Sequence, residues 1–230
     1  SDLLAGCPVT LLEKMPTPGR KLLITGSGRC NVTNTCDPAE LNDHFFSGGT
    51  FLRSALSRFS NRDLISMMME SGIRFVQEPE GKLFPESGQA GDILNFLVKR
   101  AQRSSVRIVT GEAVCSITAE TDHGPGRSGP LTVTTDKQTL RAASVILAMG
   151  GRSWPNTGST GDGARLAASL GHRIVPERPG LVPMIVPDTP LHALSGIALR
   201  DIHLSLLING KRVGGTSGDL LFTHFGVSGP

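Results

Sequence analysis

The chain has 230 residues, of which 38% are hydrophobic and 19% charged, and its formal net charge is +3. This composition predicts a globular protein with a sizeable core, and 28 glycines and 15 prolines indicate many loops, as in a nucleotide-binding enzyme rather than a helical bundle. The charge permits an anionic ligand, but the sequence has no block of about five or six Lys and Arg residues that would point to nucleic acid.

The cysteines argue against a metal site and against disulfides. Cys7, Cys30, Cys36 and Cys115 show no C-x-x-C spacing and no adjacent histidine cluster. We therefore predict no bound metal and a reducing, cytoplasmic location. No apolar run reaches the roughly 18 residues that a membrane span needs, and the sequence starts with no signal-peptide pattern, so we predict no membrane partner.

The first strong pattern is a short apolar run, residues 9–12, that ends at Glu13. It predicts a buried strand with a carboxylate at its end, which in α/β nucleotide-binding folds accepts hydrogen bonds from ribose hydroxyls. Residues 1–6 are typical of a helix end, so this strand would be the second of a βαβ unit. We expect the first strand and its G-x-G-x-x-G turn to lie upstream, as if this sequence were part of a longer chain.

A glycine-containing loop follows within about fifteen residues. The basic pair Arg20 and Lys21 precedes a second apolar run, residues 22–24, and then comes T-G-S-G-R-C-N at positions 25–31. Two glycines one residue apart, flanked by small polar residues, predict a loop whose backbone N–H groups can approach a ligand closely.

The residues G-R-K-L-L-I-T-G-S-G-R-C-N-V-T-N at 19–34 resemble the signature of the YhiN/BaiN/RdsA-type NAD(P)/FAD-dependent oxidoreductases. These are flavoproteins with a two-dinucleotide-binding architecture. The resemblance implies FAD as cofactor and NAD(P)H as electron donor. It also implies an α/β fold, in which an FAD-binding Rossmann-like parallel sheet carries a β-meander crossover and the start of an inserted β-rich domain.

We expect two domains from this resemblance and from the local patterns. Residues 1–175 would form a partial FAD-binding domain, with a helical segment at 36–103, and residues 176–230 would begin the inserted β-rich substrate domain. Within the helical segment the patterns predict helices capped near Asp37, Thr50 and Ser60 or Asn61, a strand at 73–77, a loop at 78–85 and a helix at 89–103. Three consecutive methionines, 67–69, are expected to fill a core or line an apolar groove rather than bind a soft metal.

A segment G-x-x-F-P-x-S is also present in the resembled family, and Gly81, Phe84, Pro85 and Ser87 match it. We interpret it as a docking turn. Strands are predicted at 106–110, 112–120, 131–135 and 138–141, the last three as a meander. The all-apolar residues 145–148 predict a strand buried on both faces.

The second glycine-rich segment is G-G-R-S-W-P-N-T-G-S-T-G-D-G at 150–163, directly before a short helix that ends near Gly171. Such a loop presents free N–H groups and the positive end of a helix dipole to a phosphate or a flavin carbonyl. It is not a P-loop, because no lysine follows the glycines. Alternatively, Asp162 only caps the helix. The resembled family has tyrosine where Trp154 stands here, so the phenol that could donate a proton is missing.

Residues 176–190 contain five prolines and predict a linker, and Asn209-Gly210 predicts a hairpin turn between two strands. The last residues include T-H-x-G-x-S-G-P, which the resembled family also contains. His224 in this segment is either a structural residue or a group that faces substrate or flavin.

The pattern and the resemblance together predict the following cofactor contacts: Glu13, Lys14, Arg20, Lys21, Gly26, Gly28, Arg29, Cys30, Asn31, Val114, Gly150, Gly151, Thr157, Gly158, Gly161, Asp162 and Gly163. Val114 is placed near the adenine by the resemblance alone. No catalytic residue is assigned. Cys30, which could be a redox thiol only if exposed and of low pKa, and His224 are the candidates.

The predicted function is reduction of a carbon–carbon or ring double bond with electrons from NAD(P)H. Two alternatives are open: a module that binds FAD or another nucleotide without catalysis, and a flavin-dependent enzyme that reduces uridine in RNA. The partner would accordingly be a small molecule or an RNA base, and the oligomeric state is not specified by the sequence.

Overall fold

The computed structural model describes residues 7–45, 49–119, 129–180, 182–187 and 189–229. The chain divides into two compact units, Ser1–Ile174 and Val175–Pro230. The strands of the first unit are β1 (Thr10–Glu13), β2 (Thr33–Asn34), β3 (Phe75–Gln77), β4 (Lys82–Pro85), β5 (Arg107–Thr110), β6 (Val114–Ala119), β7 (Leu131–Thr135) and β8 (Thr139–Ala142). Its helices are α1 (Arg20–Ile24), α2 (Pro38–Leu41), α3 (Gly49–Arg58), α4 (Asn61–Met69), α5 (Ala90–Arg103) and α6 (Asp162–Ser169).

Strands β1 and β5 form a parallel pair in which Glu13 lies opposite Thr110. This pair is the parallel sheet that the sequence predicts, but β1 is not the fully buried strand that its apolar residues suggest. Leu11 is 42% exposed, and Glu13 is half-buried. The reason is that β1 pairs only with β5 among the described residues, so its other edge and part of its faces are uncovered.

The prediction of a strand at residues 145–148 is wrong for this structure. The segment has no strand hydrogen bonding among the described residues, and Ile146 is 81% exposed. Val145 and Leu147 nevertheless pack against the buried cluster around Leu166, so alternate side chains point inward. An apolar run indicates burial, whereas strand formation also needs a neighbouring backbone to pair with.

The predicted meander is present as the antiparallel sheet β6-β7-β8, with β7 in the middle. Ile117 and Val133 from this sheet meet Leu166 of α6 in one buried cluster, and Leu166 is fully buried. Packing of the meander under α6 fixes where that helix begins, and therefore where the glycine-rich loop before it ends.

The helical segment is built largely as predicted, except that α3 begins at Gly49, so Thr50 lies inside the helix and does not cap it. Asp37 accepts a hydrogen bond from the Ala39 N–H at the start of α2, and Ser60 caps α4 in a reciprocal capping box with Asp63. Met68 is buried in a core cluster with Ile93 of α5, as expected for the methionines, whereas Met69 at the end of α4 is 58% exposed.

Residues 78–85 are not the loop that the sequence predicts. A single helical turn at Pro79–Gly81 leads into β4, which is the central strand of the sheet β2-β4-β3. Leu83 and Phe84 in β4 are buried. Pro79 and Gly81 before this strand and Pro85 at its end are residues typical of loops, which is why the sequence did not predict a strand. Pro85 is compatible with the strand because it lies at the end, where a missing N–H is tolerated.

The second unit contains β9 (Met184–Ile185), α7 (Thr189–His192), β10 (Ala198–Ile208), β11 (Lys211–Thr223) and β12 (Gly226–Ser228). Its antiparallel sheet has the order β10-β11-β12-β9. As predicted, Asn209-Gly210 connects β10 and β11, with φ of 50° and 76° at the two turn residues, the left-handed values of a tight hairpin turn. Of the helices in the described ranges of both units, none has the length and apolar character to cross a membrane.

Candidate functional site

The carboxyl end of β1 is held by the turn between β5 and β6. The carbonyl oxygen of Glu13 accepts the Glu112 N–H at 3.1 Å, and that of Met15 accepts the Gly111 N–H at 3.0 Å. One carboxylate oxygen of Glu13 accepts the Met15 N–H at 2.8 Å. The other oxygen accepts no hydrogen bond from any described residue, so it remains available to donors on a ligand.

The glycine-rich segment at 150–163 folds back on itself beside this strand end. The Gly161 N–H donates to the Gly151 carbonyl at 3.2 Å, and the Thr157 N–H and hydroxyl both donate to the Trp154 carbonyl, at 2.9 and 2.7 Å. Gly158 has φ of 100°, and a Cβ there would lie 2.8 Å from Met15 Cγ. Glycine is therefore needed both for the backbone conformation and for the close approach to the residues after Glu13.

Lys14 connects the strand end to this loop. Its ammonium group donates to the Thr160 hydroxyl at 2.5 Å and to Asp162 Oδ2 at 2.6 Å, and the Thr160 hydroxyl donates to the same oxygen at 2.7 Å. Asp162 is the first residue of α6, whose N-cap residue is Gly161. The carboxylate of Asp162 thus takes part in contacts well beyond its own helix, which goes further than the simple capping role considered from sequence.

Lys21 connects helix α1 to the same loop. Its ammonium group donates to the Ser153 hydroxyl at 2.6 Å and to the Ser153 carbonyl at 3.3 Å. Helix α1 runs directly into the turn Thr25–Gly28. Lys14 and Lys21 therefore connect the end of β1 and helix α1 to the glycine-rich loop before α6, and we call these three segments the convergent region.

The turn after α1 rests on Phe84, a buried residue of β4. Gly26 and Ser27 both have φ of 56°, and a Cβ on Gly26 would lie 2.8 Å from the Phe84 ring. The guanidinium of Arg29 lies 4.2 Å from the centre of the same ring and pairs with Glu78 at 2.5 Å. Sequence reasoning gave Phe84 only a docking role; the signal that could have placed it here was its aromatic side chain in the family-like G-x-x-F-P-x-S segment.

The remaining predicted contacts have varied surroundings. Asn31 accepts the Leu83 N–H at 3.3 Å through its side chain, and Val114 packs against the meander core. Arg20 is exposed at the start of α1. Gly150 and Gly163 flank the loop, near Ser159 and Met149 respectively. The roles of these residues as cofactor contacts stay predictions. For Val114 the predicted contact is the backbone, and its side chain belongs to the core.

The two catalytic candidates are placed differently. Cys30 is 5% exposed and belongs to the core cluster with Met68 and Ile93, so it lacks the exposure that a redox thiol requires. His224 lies in the second unit, is exposed, and packs its ring edge against Phe225 at 4.8 Å between ring centres. Groups of three or more His, Cys, Asp or Glu residues able to hold a metal ion are absent from the described ranges.

A cavity of about 240 Å³ has Arg74, Pro85, Glu86 and Asp92 among its lining residues. Its charged groups Arg74 and Glu86 pair with each other at 2.8 Å. Neither glycine-rich segment lines this cavity, so the convergent region is the better candidate for the cofactor site.

The pKa of Asp162 lies below its ordinary value of 3.8, because the carboxylate accepts hydrogen bonds from Lys14 and Thr160; partial burial opposes the shift. A lowered folded-state pKa stabilises the fold above the unfolded value, and that contribution is lost as pH falls through the folded value. We expect wild type to be more stable than Asp162→Asn at pH 7, with the difference shrinking below about pH 4. Urea denaturation midpoints of both proteins between pH 7 and pH 2 measure this. A difference of constant size down to pH 2 would contradict it.

Comparisons with known proteins agree with the family-like motifs. A profile of the family described as HI0933-like protein Rossmann domain matches residues 3–223. A 3-dehydro-bile acid delta(4,6)-reductase from Clostridium scindens is 29% identical over 96% of this chain and 51% of its own length. Ribosomal RNA dihydrouridine synthases from Escherichia coli and Haemophilus influenzae are 31% and 33% identical, each over 98% of this chain and 54% of their own length. The chain thus spans about half the length of the curated relatives it matches.

Proposed function

Since this chain belongs to the HI0933-like Rossmann-domain family, we propose that it is an FAD-dependent oxidoreductase that adds two hydrogens across a carbon–carbon double bond in a ring. The reactions named for the relatives are of this kind. A delta(4,6)-reductase removes unsaturation from a ring system, and dihydrouridine is uridine with two hydrogens added. The Rossmann domain, a fold that binds nucleotides, follows from membership of the family.

One observation carries the proposal: the end of β1 and the loop before α6 meet, joined by Lys14 and by the close packing of Met15 on Gly158. An extended dinucleotide needs such an arrangement, in which a strand-end carboxylate and a glycine-rich loop lie side by side. The free oxygen of Glu13 suits a ribose hydroxyl. Gly158 and Gly161 let this loop pack tightly, since a Cβ at either position would lie 2.8 Å from a side-chain atom of Met15 or Arg152.

We assign roles to the protein groups on this basis. Glu13 would accept hydrogen bonds from the ribose, and the N–H groups of the turn Thr25–Gly28 would face the isoalloxazine side. The start of α6 would support the cofactor with its free N–H groups and positive dipole end. Bound FAD would supply the electron pair for reduction of the double bond, replenished by NAD(P)H. The proposed compartment is the cytoplasm, in keeping with four cysteines that are all unpaired.

The substrate is either a small unsaturated ring compound or a uridine in RNA. The identities to the two kinds of relative, 31% and 33% against 29%, do not distinguish the two substrates. The net charge of +3 accommodates an anionic RNA without requiring it.

The visible spectrum of the purified protein tests the proposal. We expect flavin absorbance that is bleached by NADH or NADPH under anaerobic conditions, and FAD rather than FMN released on heating. Protein that is colourless and takes up no FAD on titration would overturn it. Protein that holds FAD but is reduced by neither nicotinamide would support the alternative of a binding module.

Reoxidation of the reduced protein by each candidate substrate shows which of the two the protein reduces. An unsaturated 3-keto steroid and a uridine-containing ribosomal RNA fragment are each added, and the product is measured by mass spectrometry as a gain of two hydrogens.

A further inference from the structure

The ammonium group of Lys14 donates two of its three N–H groups to acceptors within the protein. This ammonium group, Thr160 and Asp162 form a closed triangle with sides of 2.5, 2.6 and 2.7 Å. The two charged side chains are only 27% and 31% exposed. The hydroxyl of Thr160 accepts from Lys14 and donates to Asp162, so each polar group in the triangle has a partner of the correct kind.

Packing reinforces this triangle. A Cβ on Gly158 would lie 2.8 Å from Met15 Cγ and 3.4 Å from Lys14 Cε. Both residues after Glu13 therefore contact the loop, one through its apolar side chain and one through its charge.

Without such a contact the loop would be costly to order. Gly158 and Gly161 occupy left-handed conformations, with φ of 100° and 85°, and glycine pays a large entropy cost when it is ordered. Asp162 in addition places a negative charge at the start of α6, where an anionic cofactor would be repelled. A cation held against Asp162 has two effects: it keeps the loop ordered, and it neutralises the negative charge at the start of α6.

We propose that Lys14 is a positioning residue: it ties the Gly158–Asp162 loop to the end of β1 and neutralises Asp162, rather than contacting the cofactor itself. This inference rests on the proposed function for the identity of the ligand, FAD. It goes further because the sequence predicts Lys14 and Asp162 as cofactor contacts, whereas here they contact each other.

A double-mutant cycle on FAD affinity tests the assignment. Asp162→Asn removes the tie and the repelling charge together, and we expect the Kd for FAD to rise about fivefold, as for a coupling of about 1 kcal/mol. Lys14→Met removes the tie and leaves the charge bare, so the Kd should rise about tenfold. The double variant should resemble Asp162→Asn alone, at about fivefold. Lys14→Arg should retain most of the affinity, because it keeps the charge.

If Lys14 and Asp162 instead bind the cofactor independently, their effects multiply to about fiftyfold in the double variant, and the proposal is overturned. Lys99→Met, an exposed lysine of α5, is the matched control and should leave the Kd unchanged.

Amide hydrogen exchange in the cofactor-free protein gives a second readout. Residues 157–163 should exchange faster in Lys14→Met and in Asp162→Asn than in wild type or Lys99→Met. Unchanged exchange overturns the proposal. If wild type takes up no FAD, the proposed function fails while this measurement still decides whether Lys14 holds the loop.

Discussion

Replacing Glu13 by glutamine is expected to weaken FAD binding about 100-fold while leaving the fold intact. Glutamine keeps the shape of the side chain, and its carbonyl oxygen can still accept the Met15 N–H that Glu13 accepts at 2.8 Å. It loses the negative charge and the second acceptor oxygen, which is the one available to ribose hydroxyls. Hydrogen bonds to a charged group contribute about 1.5–3 kcal/mol each, so losing two of them at the lower end of that range costs about 3 kcal/mol of binding, or about 100-fold.

Fluorescence titration with FAD measures the effect, and chemical denaturation of the cofactor-free proteins shows that the fold is unchanged. Glu70→Gln, at the exposed end of α4, is the matched control and should bind FAD as wild type does. A Glu13→Gln variant that binds FAD within threefold of wild type would show that Glu13 merely ends its strand.

The local features of each unit were predictable because neighbouring residues determine them. Glu13 follows its apolar run directly, Ser60 caps a helix whose first residues adjoin it, and Asn209-Gly210 makes its turn from its own backbone preferences. In each case the physical cause lies within a few positions of the residue concerned.

The connections between segments were not predictable in the same way. Lys14 and Asp162 are separated by 148 positions, and nothing in either local pattern shows that they meet. Phe84 lies under the Gly26 turn although 58 positions separate the two residues, which follows from their numbers in the sequence. Such contacts depend on how sheets and helices stack, and only folded coordinates reveal them.

Residues 145–148 show the opposite failure, in which a strong local signal is overridden. Four apolar residues in succession are typical of a buried parallel strand. In the structure two of them pack inward, but Ile146 is largely exposed and the backbone has no ladder partner among the described residues. Burial is a property of side chains, while a strand also depends on a second backbone, which a single segment cannot reveal.

Gly226→Ala is expected to destabilise the second unit by about 3 kcal/mol, because overpacking against backbone cannot be relieved by side-chain rotation. A Cβ on Gly226 would overlap the Met184 carbonyl oxygen and lie 2.8 Å from the Val186 nitrogen. That nitrogen donates to the Phe225 carbonyl at 3.1 Å, so the clash falls on the pairing of β12 with β9.

Urea denaturation followed by far-ultraviolet circular dichroism measures this loss, and Gly229→Ala is the control because its nearest neighbouring atom, the Asp219 carbonyl oxygen, would be 3.9 Å away. The comparison also separates two interpretations of the family-like segment T-H-x-G-x-S-G-P. If Gly226→Ala lowers stability and Gly229→Ala does not, Gly226 is present because two strands approach too closely for any side chain. If Gly226→Ala keeps full stability and loses only substrate turnover, the glycine instead leaves room for the substrate, and the steric argument is wrong. His224 is tested separately by His224→Gln, because its side chain is exposed and its ring contacts only the edge-on Phe225 ring among the ring contacts described.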